Sequence, residues 1–267
     1  MVVFPNAKIN IGLQILSKRS DNFHNIKSLM YPIKLFDVLE IVASQGPSTT
    51  LKVYGCNEEI HMEDNLCYKA YQLISKERHL PAVDIHLYKK IPMGAGLGGG
   101  SSDAAFTLLL LNDLFGLHYE KSELKIMAAQ LGSDCAFFIE DKPAYVMSKG
   151  DVMELADDFV MNKKIFVVKP EVSVSTGKAY GMCTPNANVV DLKLLINKGL
   201  YNWRDTVVND FEQPVFALFP EIGKVKEKMY EQGAVYASMS GSGSAVYGIF
   251  EEYPDKDAFA GRQCYVG

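Results

Sequence analysis

Cysteine and histidine pairs at metal-ligand spacing are missing from this sequence. Cys56, Cys67, Cys135, Cys183 and Cys264 are odd in number and scattered, with no Cys-x-x-Cys and no His-x-x-x-His, so neither a zinc site nor a disulfide framework is expected. The thiols read as buried and reduced. A basic excess is missing too: 27 Lys and Arg stand against 32 Asp and Glu, a net charge of −5, which argues against nucleic acid as a partner. No apolar run approaches the roughly 20 residues of a membrane span; the leucine tract Leu108–Leu111 stops after four. The opening MVVFPNAKIN has no basic stretch before an apolar one, so no membrane association and a cytoplasmic location are expected. Disorder is excluded by 48% hydrophobic residues at low net charge. No repeat with a period of roughly 20–50 residues is found.

What remains is a globular chain of 267 residues, long enough to bury roughly 70–75% of its unfolded surface in one large domain or two smaller ones. Val38–Val42, Leu51 with Val53, and the alternating Val83, Ile85, Leu87 read as strands. Asp64 or Asn65 can cap a helix carrying Leu66, Ala70, Leu73 and Ile74. Ser101 or Ser102 can cap a second that runs to Phe115 and stops at Gly116, and Ser122 can open a third that Gly132 closes. Later come an apolar run at Ile165–Val168, a helix with Pro220 in its first turn, and a final strand at Ala245–Phe250. The mixture lacks a strict βαβα rhythm, so the class is α+β. A polar stretch at Asp157–Lys163 suggests a boundary, giving domains 1–158 and 159–267.

The segment Pro92–Ala105 carries the chemistry. It holds Gly94, Gly96, Gly98, Gly99 and Gly100 between a strand and an apolar helix. Glycine lets successive N–H groups turn toward one anion, and a helix start adds free N–H groups and partial positive charge. Together they make a phosphate cradle. Gly94 to Gly99 matches a dinucleotide fingerprint formally, but the acidic residue at the right distance, Asp113, falls inside the helix. A Walker A reading fails because Gly100 stands where its lysine belongs. The paired signatures of protein kinases are absent as well. Positive charge for a transferring phosphoryl group must come from elsewhere.

Two further segments can supply chemistry. In Asn6–Leu13 the alternation puts Lys8 and Asn10 on one strand face and Ile9 and Ile11 on the other. Asp134 follows a helix end and precedes an apolar run. A lysine in a strand is commonly a solvated edge and an aspartate after a helix a plain turn residue. Beside a phosphate cradle, the two instead suit phosphoryl transfer.

With these residues in view, the chain resembles the GHMP kinase superfamily. Its three motifs are matched in order by Ala7-Lys8-Ile9-Asn10, by the Pro92–Ser102 loop and by Ser240-Gly-Ser-Gly-Ser244. Arg19-Ser-Asp21-Asn22-Phe23-His24, Glu63-Asp64-Asn65-Leu66 and Leu131-Gly-Ser-Asp134 are similar to the branch whose members phosphorylate a cytidine diphosphate-linked methylerythritol. The resemblance implies a two-domain α+β GHMP kinase fold: an N-terminal domain like part of a ribosomal protein, and a ferredoxin-like C-terminal domain. It implies ATP as phosphoryl donor with Mg²⁺; none of the residues is named as a direct ligand of the metal. It implies that Pro92, Met93, Gly94, Ala95, Gly96, Leu97, Gly98, Gly99, Gly100, Ser101 and Ser102 hold the phosphates, with Asn65, Lys89 and Lys90 near the adenine. Asp134 would be general base on the 2-hydroxyl, oriented by Lys8, which also counters transition-state charge. Asn10, Phe23, His24, Thr176 and Tyr180 would meet the cytidine end, and Gly241, Ser242, Gly243 and Ser244 would close over the phosphates. A small-molecule substrate and a monomer or weak homodimer go with it.

The sequence departs from the branch in places. It has Asp21-Asn22-Phe23-His24 where the branch commonly has Asp-Gly-Tyr-His, and asparagine tolerates the left-handed backbone such a turn uses. Phenylalanine keeps the stacking face and loses the hydroxyl. Ser133-Asp134-Cys135-Ala136 stands for Ala-Asp-Val-Pro and retains the aspartate. The likeness around Thr176 and Tyr180 is loose. The rivals are a homoserine or mevalonate kinase, against which the base-stacking pair Phe23 and His24 argues, and a catalytically dead nucleotide binder, against which Lys8 and Asp134 argue.

Overall fold

The computed structural model describes residues 1–56 and 60–267. The chain forms two compact units. The first takes Met1–Ala7, Leu35–Met93 and Gly98–Asp141; the second takes Lys8–Lys34, Gly94–Leu97 and Lys142–Gly267. Two thirteen-residue strands, β2 (Asn6–Lys18) and β3 (His24–Phe36), each contribute residues to both units. A single cut near residue 158 therefore does not describe the division, which long strands blur.

The first unit has a sheet in which β1 (Val2–Val3), β4 (Val38–Ala43), β6 (Val83–Tyr88) and β5 (Thr50–Tyr54) lie in that order. Its pairs are antiparallel except β5 with β6. The alternation of β6 holds, with Val83, Ile85 and Leu87 buried. Four helices belong with it: α1 (Leu66–Arg78), α2 (Gly99–Leu114), α3 (Lys121–Leu131) and α4 (Cys135–Glu140). Asn65 caps α1, its side chain accepting from the Cys67 amide at 2.8 Å.

Two helix starts differ from the sequence reading. Helix α2 begins at Gly99 behind Gly98, which is left-handed at φ 74°, so Ser101 and Ser102 sit inside the first turn and cap nothing. Helix α3 begins at Lys121, because Glu120 and Glu123 form a reciprocal capping box that takes the start upstream of Ser122.

In the second unit one sheet has the order β2, β3, β7 (Ala144–Ser148), β8 (Val152–Leu155). The other runs β10 (Tyr236–Met239), β11 (Val246–Phe250), β9 (Lys164–Lys169), β12 (Gln263–Val266), antiparallel throughout. This is the ferredoxin-like strand order. Helices α5 (Thr176–Met182), α6 (Leu192–Ile196), α7 (Glu212–Leu218) and α8 (Pro220–Glu231) lie in the connections. The first crossover ends in α8, with Pro220 at its start as expected. The second has shrunk to a 3₁₀ turn at Lys256–Phe259. Phe166, Val168, Ile222, Val225, Met229, Val246, Phe250 and Phe259 build one core there. Strand β11 is not the last, since β12 follows it; four residues, of which only Cys264 and Tyr265 are half-buried, give too short a pattern to read. Among the described residues no helix is long and apolar enough to cross a membrane.

Candidate active site

The glycine loop is held at defined points. Within the second unit, the Lys8 amide donates to the Leu97 carbonyl (2.9 Å) and the Ala245 amide to the Ala95 carbonyl (3.1 Å). The Gly96 carbonyl accepts from Ser240 Oγ (2.8 Å) and from Lys8 Nζ (3.1 Å). Gly96 has φ 79°, and a Cβ there would come within 2.0 Å of the Ser240 carbonyl oxygen. Only glycine permits that approach. Gly94, also left-handed at φ 59°, has open space instead. The segment Ser240–Ser244 thus packs directly on Gly94–Leu97. It is tied further by Asn209, which donates to the carbonyls of Met239 (2.7 Å) and Gly241 (2.8 Å). Ser242 Oγ lies 2.9 Å from Thr176 Oγ1. In the first unit the loop's far end becomes the start of α2, whose leading N–H groups have no intrahelical partner and are suited to an anion.

Lys8 is buried, at 3% exposure, and so is Asn10. This strand face is therefore not a solvated edge. Lys8 Nζ donates to Asn10 Oδ1 at 2.6 Å, Asn10 Nδ2 donates to Ser28 Oγ at 2.9 Å, and Ser28 donates to the Gly12 carbonyl at 2.6 Å. Both ends of the Asn10 amide are occupied, which makes it the holder of the Lys8 ammonium. In the first unit Asp134 precedes α4, with no cap hydrogen bond to that helix and Ser133 Oγ donating to it at 3.3 Å.

The expected base-binding residues gather in the second unit. Asn22 is left-handed at φ 65°, and the turn closes with the Phe23 amide donating to Asp21 Oδ1 (3.1 Å) and the Arg19 amide to the Phe23 carbonyl (2.8 Å). This leaves the Phe23 ring exposed, with Lys149 Nζ 5.5 Å from its centre. His24 stacks on Tyr180, ring centres 4.7 Å apart and planes 12° apart. Tyr180 in turn meets Phe211 edge-on. Burial, and then Lys18, lower the His24 pKa, so at neutral pH its ring is an uncharged stacking surface.

Comparison with known proteins decides the family. The description "GHMP kinases N terminal domain" matches residues 65–142, and "GHMP kinases C terminal" matches residues 190–265. The 4-diphosphocytidyl-2-C-methyl-D-erythritol kinase of Bacteroides thetaiotaomicron is 46% identical over 100% of this chain and 99% of its own length. This chain is a GHMP kinase. That of Cytophaga hutchinsonii is 45% identical over 96% of the chain and 94% of its own. A crystal structure of 4-(cytidine 5'-diphospho)-2C-methyl-D-erythritol kinase superposes with a TM-score of 0.84 at 30% identity, covering 100% of this chain and 98% of that one. The mevalonate kinase of Methanococcus jannaschii, at 11% identity and TM-score 0.73, shares the fold.

One expectation for this GHMP kinase needs correction. The Lys89 ammonium is already engaged within the protein: it is buried and pairs with Asp37 and, at 2.6 Å, with Asp103. Lys90 is exposed and Asn65 half-buried, so the adenine expectation stays with those two. Sequence reasoning also missed Ser28 and Asn209, which hold Asn10 and the Ser240–Ser244 loop. It missed Tyr247 too, whose hydroxyl donates to the Asn10 carbonyl at 2.8 Å. None of them lies in a motif, and only their partners reveal them.

Proposed function

We propose that this GHMP kinase transfers the γ-phosphoryl group of ATP to the 2-hydroxyl of 4-diphosphocytidyl-2-C-methyl-D-erythritol, in the non-mevalonate route to isoprenoid precursors. The observation that carries the reading is near-full-length likeness to kinases of that name at 46% identity. The stacked His24 and Tyr180 beside an exposed Phe23 support it, since such a cluster suits a nucleobase. In this reading Asp134 accepts the proton of the attacking hydroxyl. The new oxygen–phosphorus bond forms as the bridge between the β- and γ-phosphates breaks, and the electron pair leaves with ADP. Lys8, fixed by Asn10, neutralises charge as it develops on the transferring group. Pro92–Ser102 and Gly241–Ser244 hold the phosphates, Asn65 and Lys90 meet the adenine, and Phe23, His24, Thr176 and Tyr180 meet the cytidine.

Mg²⁺ belongs to the reading as a charge-neutralising ion on the phosphates. No group of three or more His, Cys, Asp or Glu suited to a metal is gathered among the described residues, and an ion held through phosphate oxygens and water asks for none. The test is phosphorylation of the cytidine-bearing alcohol beside methylerythritol phosphate, which lacks the cytidyl group. The proposal expects turnover of the first and little of the second. Equal kcat/KM for the two would refute base recognition.

A further inference from the structure

The buried Lys89 is the strongest feature that the chemistry above leaves unused. Lys89, Asp37 and Asp103 are 6%, 0% and 2% exposed, an environment in which an uncompensated charge is costly. They also stand at defined places around the glycine loop. Lys89 follows the last residue of β6, with its amide donating to the Tyr54 carbonyl at 2.8 Å. Asp37 precedes β4; its Oδ1 accepts from the amides of Lys90 (2.5 Å) and Ile91 (2.8 Å), and its Oδ2 accepts from Lys89 Nζ. Asp103 lies in the first turns of α2, and its Oδ2 accepts from the same ammonium at 2.6 Å. A single ammonium thereby joins the backbone that enters the loop to the helix that leaves it.

A second observation fixes how closely the stems approach. A Cβ on Gly99, the first residue of α2, would lie 2.9 Å from Ile91 Cγ2 and 3.3 Å from Lys89 Nζ. The helix start rests on the entering stem, over the ammonium, and glycine is there for space rather than for a left-handed backbone. Burial works against the charged form of Lys89, but the two carboxylates outweigh it and raise its pKa. The ammonium stays charged.

We propose that Lys89 is a positioning residue for the phosphate loop, clamping the end of β6 to the first turns of α2 through Asp37 and Asp103, so that the leading N–H groups of α2 are set for the nucleotide's phosphates. This rests on the reading of the loop as a phosphate cradle. It does not depend on which alcohol is phosphorylated.

The test measures ATP affinity directly, by calorimetry on the whole protein without the alcohol, together with KM for each substrate. Wild type that binds no ATP would overturn the cradle reading itself, and the proposal with it. Asp103→Leu cuts the helix arm while leaving a balanced Lys89–Asp37 pair, so the chain should still fold. Asp103→Asn keeps a neutral acceptor in the same place. The expected result is a loss of about tenfold or more in ATP affinity for the leucine variant, as for other misplaced binding groups. KM for the cytidine-bearing alcohol should stay unchanged, and the asparagine variant should recover most of the loss. A leucine variant that is folded by circular dichroism and binds ATP like wild type would overturn the clamp. So would equal losses in both variants, since the effect would then follow charge rather than position. Should the leucine variant not fold, the asparagine variant decides alone. ATP affinity within about threefold of wild type, with the rise in KM confined to ATP, would uphold the clamp. A larger loss, or one shared by both substrates, would overturn it.

Discussion

Gly96→Ala and Gly94→Ala form a matched pair, because both glycines are left-handed and only one is crowded. Gly96 has φ 79° and Gly94 φ 59°, so alanine at either site meets a backbone cost of about 1–2 kcal/mol. At Gly94 nothing else is added, since no atom lies within 4 Å of the new Cβ. At Gly96 the Cβ would stand 2.0 Å from the Ser240 carbonyl oxygen and 2.9 Å from its carbon. Both are backbone atoms, so relief requires moving one loop off the other. Overpacking of that kind costs about 1–3 kcal/mol more. The expected losses are therefore about 1–2 kcal/mol for Gly94→Ala and about 2–5 for Gly96→Ala.

Urea unfolding at neutral pH measures the difference. The displacement should also reach catalysis, because the Gly96 carbonyl receives both Lys8 Nζ and Ser240 Oγ. Gly96→Ala should lower kcat beyond what its folded fraction explains, whereas any effect of Gly94→Ala, in the same phosphate loop but without this contact, should appear as weaker ATP binding. Equal stability losses in the two variants would show that the Ser240 contact does not constrain the loop.

The other expectations are briefer. Asp134→Asn should reduce turnover by about 10²–10⁴-fold while ATP still binds, the usual loss when a general base is removed; near-normal kcat would remove Asp134 from that role. Lys8→Met should lower kcat by about 10²–10³-fold with a smaller effect on KM for ATP, as for a group acting on transition-state charge; an effect confined to KM would contradict it. His24→Ala removes the ring stacked on Tyr180 and should weaken the cytidine-bearing substrate by about 1–3 kcal/mol, leaving KM for ATP alone. Burial pushes the Asp103 pKa up to about 7, against the pull of Lys89. The folded state then holds a proton that the unfolded chain releases near pH 4, so this group's contribution to stability is full at low pH and lost as pH rises toward 7. Relative to Asp103→Asn, wild type should lose up to about 1.4 kcal/mol per pH unit between pH 5 and 7; parallel stability curves would refute the shift.

Much of this site was legible because its chemistry is written in backbone-permissive residues and short motifs. The loop, the Asn22 turn and the aromatic pair at 23–24 are local, and local patterns survive without knowledge of partners. The cap of α2 was read three or four residues late for a related reason. A serine announces a cap through its side chain, whereas Gly98 caps by its left-handed backbone alone and leaves no polar signature. The capping box of α3 was written in Glu120 and Glu123, and Ser122 beside them drew the reading away.

Lys8 and Lys89 show where strand parity succeeds and where it fails. Val83, Ile85 and Leu87 face inward, and two more steps of the same alternation arrive at Lys89, placing Lys90 outside. The burial of Lys89 was thus available from β6, had the alternation been followed one position past the strand. Its partners were not, since Asp37 and Asp103 lie 52 and 14 residues away. For Lys8 parity gives the face but not its surroundings. In β2 the polar row Asn6, Lys8 and Asn10 is as buried as the apolar row Ala7, Ile9 and Ile11, so alternation that normally marks a half-solvated strand marks one covered on both sides. A buried ammonium must have its charge met, and here Asn10 Oδ1 and the Gly96 carbonyl meet it in part. The same requirement keeps Lys89 with its carboxylates. Position separates the two lysines: Lys89 pairs with Asp37 and Asp103 in an interior cluster, while Lys8 reaches the Gly96 carbonyl of the glycine loop, where the proposal sets it to meet a phosphoryl group.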